Sequence, residues 1–294
     1  MSWISLALLA AFIWAFVDVL DKYFVTKLSK NPYIPVMILA PVDFVASMAI
    51  FFIHGFEVMS PQFVLLGLLS GTFRVLMVYW YFRAAKIEEI SRVSPLFYIS
   101  PFFLLLLAGI FLGEIFTLSQ YVGILFLVLG AFFISEKKPF SFRVGPAFWY
   151  MIFSAFCLSI SQIIIKYLLG FSDFWTVFAY TEFGVFLSIL PIFYLHFGDL
   201  RRLFQREGVQ PFRIMAISEG FNLVAVFLSI VAASVGPITL VNAISAVQPF
   251  FLLVFTIFLS IFSPKILHEK IGGKIVLFKV FSMGLMFLGV VLFR

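Results

Sequence analysis

Five ionisable residues sit where ionisable residues are costly: Asp18, Asp43, Arg74, Glu182 and Glu219 each fall inside an apolar stretch long enough to cross a bilayer. A charge at the centre of such a helix costs roughly 2.5 to 3.5 kcal/mol on insertion scales, so these groups should face a bundle interior or a water-filled cavity. Helical phase supplies neutral and basic partners. Asp18 and Lys22 share a face at i,i+4 spacing, as do Gln162 and Lys166, while Glu219 and Asn222 are an i,i+3 pair. A guanidinium and a carboxylate facing one cavity suit a zwitterion, with Arg74 taking a substrate carboxylate and Glu219 an ammonium or a coupling proton. The same two residues also fit a structural ion pair. Asp43 and Glu182, at comparable depths in their helices, read either as titrating groups or as hydrogen-bonded clamps.

Polar residues at helical spacing extend the candidate site. Thr239, Asn242, Ser245 and Gln248 form one stripe, with a weaker counterpart in Ser94, Tyr98 and Ser100. Pro101 and Pro249 are expected in mid-helix, where a missing backbone hydrogen bond makes a hinge. Gly123, Gly130, Gly284 and Gly289 are expected at close helix packings. His54, His196 and His268 fall at helix ends.

The elements that must position these groups follow from composition. The chain has 294 residues, 63% hydrophobic and 12% charged, with a mean hydropathy of +1.15. Soluble domains carry about 25% charged residues, which excludes that class. The net charge of +6 is dispersed in short clusters between apolar runs, so there is no basic domain for nucleic acid. A single cysteine, Cys157, excludes an intrachain disulfide and leaves no Cys-based metal site. The N-terminal run lacks a basic leader region and carries Asp18, which predicts a first membrane helix rather than a cleaved signal peptide.

Apolar stretches at about 3–21, 34–54, 62–82, 92–112, 118–135, 147–169, 174–197, 211–233, 238–262 and 274–293 predict ten transmembrane helices in an all-α integral membrane protein. They divide five and five. The string PFFLL occurs at 101–105 and again at 249–253, and at the same offset of 148 Ser70 meets Ser218, Phe73 meets Phe221 and Ala84-Ala85 meets Ala232-Ala233. In the first helix of each set the offset is 144, where Ala11-Phe12 meets Ala155-Phe156 and Lys22-Tyr23 meets Lys166-Tyr167. The expected domains are a repeat over 1–136, a cytoplasmic linker over 137–146 and a second repeat over 147–294.

Five is odd, so two equal five-helix units in one membrane point in opposite directions. Loop charges agree. Lys22, Lys27, Lys30, Arg83, Lys86, Arg92, Lys137, Lys138, Arg143, Arg201, Arg202, Arg206, Arg213, Lys265, Lys270 and Lys274 lie in odd-numbered loops, against only Lys166 and Arg294 in even-numbered loops and termini. The positive-inside bias then predicts inverted-topology repeats with both termini outside the cytoplasm.

Two inverted five-helix units in a chain of this length resemble the drug/metabolite transporter superfamily, specifically its EamA-type members. The stretch LLLLAGIFLGEIFTLSQYVGILFLVLGAFFI is similar to the end of an EamA unit, with Glu114, Gln120, Gly123 and Gly130. Lys22 and Lys166 stand where the family tends to place a lysine. In the second unit SPKILHEKIGGK intervenes, so Glu269 matches Glu114 only with an insertion. The resemblance implies an exporter of a small, amino-acid-like metabolite in a bacterial or archaeal inner (plasma) membrane, a monomer or homodimer with a proton or counter-substrate as coupling partner. An intramembrane enzyme and a lipid-like-substrate flippase are the alternatives. No HExxH or GxSxG motif supports the enzyme, and no cofactor or nucleotide-binding motif is present.

Overall fold

A computed structural model describes residues 2–55, 58–112, 117–135, 145–235, 245, 247–263 and 272–292. Asn242, Thr239, Glu114, Glu269, His268, Lys265, Lys270, Arg294 and the linker basics Lys137, Lys138 and Arg143 lie outside the described residues.

The chain is all-helical among the described residues: α1 (Trp3–Tyr23), α2 (Tyr33–His54), α3 (Pro61–Ile87), α4 (Ile90–Val93), α5 (Ser100–Leu112), α6 (Leu118–Ser135), α7 (Pro146–Leu168), α8 (Phe174–Glu207), α9 (Gln210–Val235), α10 (Gln248–Phe262) and α11 (Gly273–Leu292). Eight helical segments are long and apolar enough to cross a membrane, and two shorter apolar helices, Leu118–Ile134 and Gln248–Phe262, stand at the fifth and ninth expected spans. Local chemistry fixes several starts. Ser2 caps α1 by accepting from the Ser5 amide, and Asp173 caps α8 by accepting from the amides of Trp175 and Thr176.

Two segments differ from the expectation. The fourth span is not one continuous helix, because α4 passes through a 3₁₀ segment, Ser94–Ile99, into α5. Pro95 falls in the first turn of that segment. The seventh helix does not stop near 197, since α8 runs for 34 residues to Glu207. At 1.5 Å per residue that is about 51 Å, well beyond a hydrocarbon core of about 30 Å. Its extension is anchored, with Leu200 and Leu203 buried and Arg206 donating to the Leu28 carbonyl at 3.0 Å.

The packing is set by small residues. Membrane helices gain little from apolar burial against each other, so close backbone approach decides which pairs form. A Cβ on Gly71 would lie 2.4 Å from the Thr181 carbonyl oxygen, and one on Gly184 would lie 2.6 Å from Leu68 Cα, which locks α3 against α8. A Cβ on Gly289 would meet the Gly123 carbonyl oxygen at 2.6 Å, and one on Gly130 would meet Met286 Cγ at 2.4 Å, which does the same for α6 and α11. Gly284 has nothing within 4 Å, so it is not the close-packing site expected of it.

The neighbour pattern has a symmetry of its own. α1 packs on α9 and α10, and α7 packs on α3 and α5. α2 packs on α8 and α9, α8 on α3, and α6 on α11. Exchanging α1 with α7, α2 with α8, α3 with α9, α5 with α10 and α6 with α11 reproduces this set. The loops sort by face as well: Arg206 and Asn31 join the α1–α2 connection to the end of α8, whereas His54 at the end of α2 stacks on Trp175 at the start of α8. Among the described residues, the basic-rich α1–α2 connection and the end of α8 therefore lie at one end of the bundle, and the end of α2 and the start of α8 at the other.

Candidate functional site: an acidic cavity between the helices

Where these helices meet, a cavity of about 800 Å³ opens among α1, α2, α3, α7, α8 and α9, with Tyr98 before α5 and Gln248 at the start of α10 on its wall. Such a volume suits a small molecule. Of the candidate residues, Asp18, Asp43, Arg74, Gln162, Lys166, Glu219, Asn222 and Gln248 all line it. Glu182 stands directly behind Arg74. His54 and His196 lie at helix ends and stack on Trp175 and Tyr33.

Arg74 forms its ion pair with Glu182, across the α3–α8 contact that Gly71 and Gly184 permit. Its partner is thus not Glu219, the pairing that repeat geometry suggested. Glu219 instead accepts from Asn222 Nδ2 at 2.9 Å, and Asn222 Oδ1 accepts from Trp14 Nε1 at 3.1 Å. Asp43 and Glu219 remain within electrostatic reach of Arg74, so one guanidinium is surrounded by three carboxylates. Asp43 Oδ1 and Glu182 Oε2 are buried without a hydrogen-bond partner.

A second carboxylate group comes from α1. Asp18 accepts from Tyr81 Oη at 3.0 Å, from Gln248 Nε2 at 2.9 Å and from Ser94 Oγ. Asp21 accepts from Ser218 Oγ at 2.8 Å. Neither forms an ion pair among the described residues, although both are more than nine-tenths buried. Buried charges held only by hydroxyls and amides are unusual, because neutral donors offset just part of the desolvation cost. Lys22, one turn along, donates instead to the carbonyls of Ala85 and Glu88.

The proline expectation is corrected in position. Pro249 lies in the first turn of α10, where a missing N–H costs no helix bond, and Pro101 is the second residue of α5 rather than a mid-helix residue. The irregular backbone lies just before Pro101, at Ser94–Ile99, and it carries functional-looking groups. Ser94 reaches Asp18, and Tyr98 Oη donates to the Ser245 carbonyl and to Gln248 Oε1.

Sequence reasoning did not select Asp21, Tyr81, Trp14 or Ser218 for the cavity. It also passed over Lys279 in α11, which is 2% exposed and bonds Glu89 Oε2 at 2.9 Å and Ser91 Oγ at 2.6 Å. A lysine inside an apolar run was the available signal for Lys279.

Apolar helices around a buried acidic cavity define a multi-pass membrane protein. Residues 1–136 match the EamA-like transporter family. The pseudopaline exporter CntI of Pseudomonas aeruginosa, in strains UCBPP-PA14 and PAO1, is 37% identical over 84 residues. That stretch covers 29% of this chain and 29% of the relative, under a third of either. A solved protein crystal structure shares the fold over nearly the full length, with a TM-score of 0.61 at 14% identity, covering 99% of this chain and 97% of that one. The family and the exporter relative point to membrane transport rather than to enzymatic chemistry.

Proposed function

We propose that the protein is a secondary active transporter that exports a small, amino-acid-like metabolite across a bacterial or archaeal inner membrane by alternating access. The observation that carries this is the central cavity, walled by helices from both halves of the chain and lined with carboxyl groups. Polar groups buried at membrane depth are retained for substrate or ion pathways. The exchange symmetry of the helix contacts supports two inverted repeats, over 1–136 and 147–294, rocking about that cavity. The irregular Ser94–Ile99 segment, just ahead of Pro101, is the place in this scheme where one cavity wall bends. An exporter relative supports the direction. A proton or a counter-substrate supplies the energy.

The test is flux in liposomes containing the purified protein, with and without a proton gradient, for wild type, Asp18→Asn and Glu219→Gln. Gradient-dependent flux that falls to background in both variants, with thermal unfolding unchanged, is the expected result. Normal flux in both folded variants would remove the cavity from the mechanism.

A further inference from the structure

The charge balance of the cavity bears on what it takes. Asp18, Asp21, Asp43 and Glu219 line it and Glu182 backs it, whereas the cations on the same wall are Arg74 and Lys166. Five carboxylates therefore meet two cations, and one of those, Arg74, is already paired to Glu182. The carboxylates are also continuous. Asp21 is within electrostatic reach of Asp18 on one side and of Glu219 on the other, and Asp43 is within reach of both Glu219 and Glu182. At the centre of this row Asp43 is 4% exposed, lines the cavity and leaves Oδ1 without a partner. An unpaired buried acceptor is costly, and a donor arriving with the ligand would recover that cost.

We propose that the substrate carries two or more ammonium groups joined by an aliphatic chain, a linear diamine or polyamine or an amino acid with a side-chain amine. This rests on the carrier reading of the cavity and narrows its substrate class. One ammonium sits among Asp43, Glu219 and Asp21, and a second lies towards Asp18, with Val36, Val75 and Leu105 on the wall against the methylenes between them. Trp14 and Tyr81 offer aromatic faces for cation–π contact. The row is not a metal site, because no three His, Cys, Asp or Glu side chains among the described residues are placed as one ligand set.

The experiment is equilibrium binding of radiolabelled spermidine to the full chain in nanodiscs, competed by cadaverine, lysine, leucine, succinate and magnesium ion. Displacement by cadaverine and lysine, with none by leucine, succinate or magnesium at equal concentration, is the expected pattern. Asp43→Asn and Asp21→Asn should each weaken spermidine binding about tenfold, the worth of one charge-assisted hydrogen bond. The wild-type competition series needs no variant to fold. Absence of spermidine binding, or displacement by leucine, succinate or magnesium as effective as by cadaverine, overturns the proposal. Spermidine binding without flux in liposomes would remove the carrier reading and leave this one standing, whereas flux that prefers leucine to cadaverine would do the reverse.

Discussion

Some buried ionisable residues here are neutralised by a neighbour, and Arg74 with Glu182 is one such pair. Glu182 is 0% exposed and its guanidinium partner sits across the close α3–α8 crossing that Gly71 and Gly184 allow. Breaking a buried pair leaves an uncompensated charge and costs about 3 to 5 kcal/mol, while removing both partners for apolar groups of like size is often neutral. Glu182→Gln should therefore lower the thermal unfolding midpoint sharply, and the double variant Arg74→Met with Glu182→Met should recover most of that loss. If the single variant melts with the wild type, the pair is not what holds α3 to α8. The sequence made the presence of these groups legible, because a charge in an apolar run needs a reason. Their pairing was not legible, since helical phase tells which face a residue occupies and not which of several helices lies opposite. Asp21 was hidden for a related reason: it stands near the end of the first apolar run, and only the packing of α9, whose Ser218 donates to it, places it inside the bundle.

The helices themselves were readable from hydropathy to within a few residues at most ends, and their small-residue contacts only in part. Gly130 and Gly289 are where close packing was expected, whereas Gly284 points into open space and Gly71 carries a contact that spacing alone did not flag. The two kinds of glycine make a paired prediction. Gly71→Ala places a methyl 2.4 Å from the Thr181 carbonyl and Val185 amide, both backbone atoms that cannot rotate away. The helices must part, at the 1 to 3 kcal/mol typical of overpacking, or about that much. Gly284→Ala meets nothing and gains the better helix propensity of alanine, about 1 kcal/mol. Unfolding midpoints in detergent should fall for the first and hold or rise for the second; the reverse order would contradict the α3–α8 contact. The break in the fourth span escaped the sequence because Pro101 drew attention to the wrong turn. The irregular segment precedes it, beginning at Ser94-Pro95, where a proline early in the turn is compatible with 3₁₀ geometry and frees the Ser94 hydroxyl to reach Asp18.

At the scale of the whole molecule, two independent regularities agree. Basic residues crowd the odd-numbered connections, and among the described residues several of these meet at one end of the bundle: Arg206 beside Leu28, Asn31 beside Asp199, and Arg83 beside Tyr150 at the start of α7. At the other end His54 meets Trp175 and Phe63 meets Phe171, in connections almost without lysine or arginine. Sequence alone could count the charges; it could not show that they share a face, which depends on both halves packing as they do. If lysine and arginine are retained in the cytoplasm, we propose that the chain enters and leaves the membrane from outside. Alkaline phosphatase, active only outside the cytoplasm, should be active when fused after Arg294 and inactive when fused after Lys30 or Gly208. A fluorescent protein that matures only inside should give the opposite series. Activity after Lys30 with none after Arg294 would reverse the bundle, and with it the end of the acidic cavity that faces the cytoplasm.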